Sequence, residues 1–272
     1  MSSSSPQPEG ELLSPVDPPG AYIAEPPPPP RRRTRSILSA PGTYVLVGIN
    51  CAVFLWMVLH GVSPSDPTIA QLKHFGAANA WLILHGQWYR LVTATFVHVG
   101  LIHIGTNMWC LWNLGLLGEP LLGPWGMIAV YILTGVAGNL LSLLVNILLH
   151  DYVSVGAGAS GAVFGIAGIL IVLLSNKKLP IPGFELDRLR RSVIQFAGLN
   201  LVIGLATAIL PVAIRIDNSA HVGGFLSGLT LGVPLVPRMT SGRARYLQRQ
   251  KLTFAGAALF LSLFGYLLAS LR

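Results

Sequence analysis

Ser160, in Gly158-Ala159-Ser160-Gly161-Ala162-Val163-Phe164-Gly165, and His221, in Ala220-His221-Val222-Gly223-Gly224-Phe225, are polar side chains in segments otherwise apolar enough for hydrocarbon. A polar group placed there is costly, so its first reading is functional. A serine and a histidine that can meet are the minimum parts of a nucleophile and its base. The chemistry they point to is acyl transfer, the hydrolysis of a peptide bond inside a membrane. A third polar group occurs in His98-Val99-Gly100-Leu101-Ile102-His103-Ile104-Gly105-Thr106-Asn107. His103 and Asn107 are four apart and share a helix face, and neutral donors of this kind can hold an oxyanion. Ser160 opens its apolar segment, so free N–H groups at a helix start add to that field.

Each group also has a plainer role. Ser160 is followed by Gly161, Gly165 and Gly168, and His221 by Gly224 and Gly228, a spacing that packs one membrane helix against another. The two roles coincide, since a Ser–His hydrogen bond of about 3 Å needs the two segments close together. Asp217, four before His221, is either an orienting carboxylate or a helix cap. Its polar neighbourhood, Arg215 to Ser219, favours the cap.

These residues need membrane-spanning elements to position them. Of the 272 residues, 52% are hydrophobic and 10% charged, with mean hydropathy +0.63. Soluble domains carry about a quarter charged residues, so an all-α polytopic membrane protein is expected. The apolar runs give spans at 43–60, 97–117, 125–149, 159–175, 193–210, 220–236 and 253–271, each of roughly 20 residues. Trp81, Trp88 and Tyr89, in the segment 61–96, suit a membrane interface. Residues 1–30 hold ten of the twenty prolines and cannot build a core. Met1 to Ser5 lacks the basic start and apolar core of a secretory leader. The chain is accordingly divided into a proline-rich tail, 1–42, a catalytic core, 43–236, and a basic loop with a last span, 237–272. Cys51 and Cys110 lie in apolar runs and are expected to be small buried hydrophobes. No spacing suggests a zinc site or a phosphate loop, so no metal and no organic cofactor is expected.

Basic residues orient the spans. Arg31, Arg32, Arg33, Arg35, Lys177, Lys178, Arg188, Arg190, Arg191, Arg238, Arg243, Arg245, Arg249 and Lys251 fall on one side, fourteen in all, against Lys73, Arg90, Arg215 and Arg272 on the other. Cytoplasmic loops carry the excess, which places the amino terminus in the cytoplasm. The spans that open near His103, Ser160 and His221 then all start at the outer face, so the three groups share a depth. The net charge of +8 is topological and does not indicate nucleic acid.

The pattern His103-x-x-x-Asn107, then Gly158-Ala159-Ser160-Gly161, then Ala220-His221-Val222-Gly223-Gly224 with Gly228, resembles the rhomboid intramembrane serine proteases. Trp88-Tyr89-Arg90 is similar to a Trp/Arg element of that family's first outer loop. The resemblance covers roughly 40–236. It implies a six-helix core with the serine opening a short central helix in a water-accessible cavity, and makes 253–271 a seventh, carboxyl-terminal span. It implies a Ser160–His221 dyad, an oxyanion held by the Ser160 N–H, Asn107 and His103, and Phe164 stacked on the imidazole. Gly158, Gly161 and Gly224 would support that site. Single-span membrane proteins would be the substrates and the lipid bilayer the medium. A bacterial inner membrane, crossed several times, is the expected location. The alternatives are a catalytically inactive rhomboid-like binding protein, for which Pro before the serine or loss of Ser or His would be expected, and a small transporter, for which paired mid-membrane charges would be.

Overall fold

The computed structural model describes residues 40–179, 181–209, 217–236 and 242–270. The proline-rich segment, Arg31 to Arg35, Arg215, Arg238 and Arg272 lie outside them. The described residues form ten helices, with one isolated antiparallel bridge between Ala78 and Gly156. They are α1 (Pro41–Leu59), α2 (Ile69–His74), α3 (Ala80–Leu84), α4 (Arg90–Thr93), α5 (Leu101–Leu122), α6 (Pro124–Leu148), α7 (Ser160–Leu174), α8 (Gly183–Ile209), α9 (Asn218–Leu235) and α10 (Arg243–Ser270).

α1, α6 and α10 are each long and apolar enough to cross a bilayer. α7 is apolar but only 15 residues long. Its length is about 22 Å at 1.5 Å per residue, short of the roughly 30 Å hydrocarbon core. Residues Gly161 to Leu170 are buried without a break, so every face of α7 is covered, which is how an all-round apolar helix must sit. It packs against α5, α6, α8 and α9, with Ile166, Ile169, Leu170 and Leu173 wholly enclosed.

α9 lies backbone to backbone against α7. A Cβ at Gly224 would fall 2.0 Å from the Gly161 carbonyl oxygen, and one at Gly228 the same distance from that of Gly165. In lipid no hydrophobic force drives helices together, and such close approach supplies the dispersion contacts that do.

Glu119 ties α5 to α1. Its buried carboxylate accepts from Gly42 N (2.8 Å), Thr43 N (2.7 Å) and Thr43 Oγ1 (2.7 Å). A carboxylate near the end of its own helix opposes that helix dipole, and here the amino-terminal N–H groups of α1 offset the cost. α10 is anchored beside it: Gln250 Nε2 donates to Leu122 O (2.8 Å), Tyr246 to Leu121 O (3.1 Å) and Arg249 to Val236 O (2.8 Å).

Three features depart from the sequence reading. α8 and α10 start at Gly183 and Arg243, ten residues before the spans placed at 193 and 253. Both extensions are rich in Leu and Arg, good helix formers, and of these two helices only α10 has, among the described residues, a stretch long and apolar enough to cross a bilayer. The segment 61–96, in which the sequence reading placed no helix, folds into α2, α3 and α4, braced by Arg90. That side chain is buried and donates to Gln87 Oε1 (2.7 Å), Lys73 O (2.7 Å) and Ala77 O (2.8 Å). Cys51 is exposed and Cys110 half-buried, so neither is the enclosed hydrophobe expected. Cys51 stands on an exposed face of α1, and Cys110 of α5 packs one side against the core.

Candidate active site

Ser160 is the first residue of α7, where backbone N–H groups have no intrahelical acceptor. The strand of chain before it is held at three points. Gly156 pairs with Ala78, Gly158 N donates to Ala94 O (2.9 Å), and Ala159 N donates to His98 Nε2 (3.4 Å). Gly158 has φ +127°, and a Cβ there would meet the His103 ring at 2.7 Å. Glycine is required at this position by both conformation and space.

His221 lies one turn into α9. Its Nε2 is 2.8 Å from Ser160 Oγ, and its ring stacks on Phe164 with centroids 4.3 Å apart and planes 13° from parallel. For Nε2 to accept the Ser160 proton, the neutral imidazole must carry its own on Nδ1. That Nδ1 makes no hydrogen bond among the described residues. Asp217 is not its partner: one carboxylate oxygen caps α9 by accepting from Ala220 N (3.0 Å), and the other accepts from Ser142 Oγ of α6 (2.5 Å).

His103 and Asn107 meet at the same place. His103 Nδ1 accepts a long hydrogen bond from Val99 N (3.4 Å), which leaves the proton on Nε2. A Cβ on Gly158 would be 2.9 Å from that Nε2 and 3.6 Å from Asn107 Nδ2. Asn107 Nδ2 spends one of its protons on His103 O (3.1 Å) and keeps a second. Two side-chain donors therefore border the residue two before Ser160, and Gly161 and Gly224 form the contact that brings the imidazole to the hydroxyl. The arrangement can move a proton from Ser160 to His221 and can offer neutral donors to a developing oxyanion.

His98 has a part that its sequence gave little reason to assign. It is fully buried; Nδ1 faces Phe96 O (3.1 Å), so Nε2 is the acceptor for Ala159 N. Its ring meets that of His103 edge-on at 5.3 Å. The signal was its presence as a second histidine in the His98–Asn107 run, but the partner lies some sixty residues away. Among the described residues no group of histidine, cysteine and acidic side chains could hold a metal ion.

Residues 85–238 match the Rhomboid domain. The chain is 32% identical to Rhomboid protease GluP of Bacillus subtilis (strain 168) over 197 residues, covering 71% of this chain and 35% of GluP. It is 32% identical over 176 residues to RHOMBOID-like protein 5 of Arabidopsis thaliana, covering 65% of this chain and 53% of that protein. It is 31% identical over 208 residues to Rhomboid protease AarA of Providencia stuartii, covering 71% of this chain and 72% of AarA. The chain thus spans about a third of the length of GluP and about half that of the plant protein. With its apolar helices and a matched domain over more than half its length, the chain is an integral membrane protein and belongs to the rhomboid family.

Proposed function

We propose that this protein is an intramembrane serine endopeptidase acting through a Ser160–His221 dyad on single-span membrane proteins. The observation that carries this is the 2.8 Å contact between His221 Nε2 and Ser160 Oγ, made between two helix starts in an otherwise apolar interior. Ser160 Oγ attacks the scissile carbonyl as His221 takes its proton. The tetrahedral oxyanion is held by the Ser160 N–H, Asn107 and His103. His221 then gives the proton to the leaving amine, which departs and leaves an acyl-serine. Water, deprotonated by the same imidazole, hydrolyses the ester and restores both residues.

α1, α5, α6, α7, α8 and α9 form the catalytic bundle over 43–236 in this reading, and α10 is an added seventh span in 237–272. The tail 1–42 faces the cytoplasm, and the active site opens to the opposite side, in a bacterial inner membrane. The test is purified protein in detergent with a single-span substrate, with and without Ser160→Ala. Cleavage within or near the substrate's transmembrane segment, lost in the variant, is the expected result. Substrate that binds but stays intact with wild-type protein would instead make this a binding member of the family.

A further inference from the structure

A cavity of about 440 Å³ lies between α7, α8 and α9, and no α5 residue is among its described walls. Phe164 and Ile171 of α7, Ile194 and Gly198 of α8, and Phe225 and Leu229 of α9 are among its walls, and among the described residues the imidazole of His221 is its one ionisable side chain. The mechanism above makes no use of it. Ile194 and Leu226, both in its lining, are about half exposed, so it opens sideways onto the surface that hydrocarbon covers.

The α8 face that lines the cavity continues beyond it. Ile194, Ala197, Gly198 and Leu201 recur at three and four residues, and one turn before Ile194 the same face carries Arg190 and Arg191. Arg190 is ion-paired with Asp187 (3.1 Å). Arg191 is exposed and has no hydrogen bond or ion pair among the described residues. Lys177 and Lys178, in the turn before α8, are exposed at the same end. Basic side chains one helical turn beyond an apolar cleft, on the helix face that lines it, match an anionic phospholipid, phosphate outward and acyl chain inward.

We propose that this cleft binds one anionic phospholipid from the leaflet at the α8 amino-terminal end. Its phosphate meets Arg191, with Arg190 and the lysines near by, and one acyl chain runs up the cleft to pack beneath the stacked Phe164 and His221 rings. Binding rests on the membrane location alone and not on the proteolytic reading. A chain against the stack would also hold the imidazole in the orientation that reaches Ser160.

Native mass spectrometry of the full chain, released from nanodiscs of phosphatidylglycerol and phosphatidylcholine, tests this without reference to activity. Wild-type protein should retain one phosphatidylglycerol in preference to phosphatidylcholine. Arg191→Gln should weaken that retention by about fivefold, the worth of one basic residue at an anionic surface. Gly198→Leu should abolish it by filling the cleft. A Cβ at Gly198 has nothing within 4 Å, so this variant has room to fold, and an unchanged melting temperature in detergent would certify that it does. Equal retention of the two lipids, or retention that survives Gly198→Leu, would overturn the proposal. So would a photo-crosslinker at Leu226 that captures an added single-span peptide and no lipid, because the cleft would then belong to protein substrates.

Discussion

At the scale of single residues, the 2.8 Å Ser160–His221 contact makes a sharp demand on the chemistry. Ser160→Ala and His221→Ala should each abolish cleavage while the protein remains folded in the membrane, because members of such a unit fail together. Turnover above background in both variants, measured on a purified single-span substrate, would remove the dyad. Asn107→Ala takes away one neutral donor of several, so turnover should fall by about 10- to 1000-fold. An unchanged rate would leave His103 and the backbone to hold the oxyanion. Asp217→Asn should keep most activity, since asparagine caps a helix as well as aspartate does and can still accept from Ser142. A loss near 10⁴-fold, the mark of a true orienting carboxylate, would contradict the Asp217 geometry. Ser160, His221 and the His103–Asn107 pair were legible in the sequence because each is a polar exception in an apolar run. His98 was not, because its value lies in a contact with Ala159 that only the folded chain creates.

At the scale of helices, α7 and α9 can align the dyad only while they touch through their backbones. Gly224→Ala would put a methyl 2.0 Å from the Gly161 carbonyl, and no flexible side chain is there to yield. The helices must part, at a cost of about 1–3 kcal/mol or more for overpacking, and the imidazole moves with α9. Thermal unfolding in detergent should show a lower midpoint together with lost cleavage. An unshifted midpoint would mean that α7 and α9 do not meet through their backbones at Gly161 and Gly224. Glycine spacing made this pair readable in advance. Helix limits were less so: hydropathy marks where a helix meets lipid and is silent on the basic first turns of α8 and α10. The role of Glu119 was equally hidden, since its partners Gly42 and Thr43 stand at the start of a helix more than seventy residues earlier.

At the scale of the whole molecule, the side to which the active site opens depends on which ends of the helices face which side of the membrane. The amino-terminal ends of α5, α7 and α9 meet around Ser160, through the His103–Gly158 and Ser160–His221 contacts. The opposite end of α5 meets the starts of α1 and α10 through Glu119 and Gln250. Basic residues crowd that second end, with Lys177, Lys178, Arg188, Arg190, Arg191, Arg243, Arg245 and Arg249 all in or near it. The excess of basic residues belongs in the cytoplasm, so the dyad should lie toward the outer face. A single cysteine placed at Ser65, in a chain with Cys51 and Cys110 replaced by alanine, should then react with an impermeant thiol reagent in intact cells. One placed at Lys178, exposed between α7 and α8, should react only after the membrane is opened. If the pattern were reversed, Ser160 and His221 would still meet, because all the helices would invert together. Cleavage would then open to the cytoplasm, the phospholipid bound at α8 would come from the outer leaflet, and the orientation proposed for this protein would be wrong while its chemistry stood.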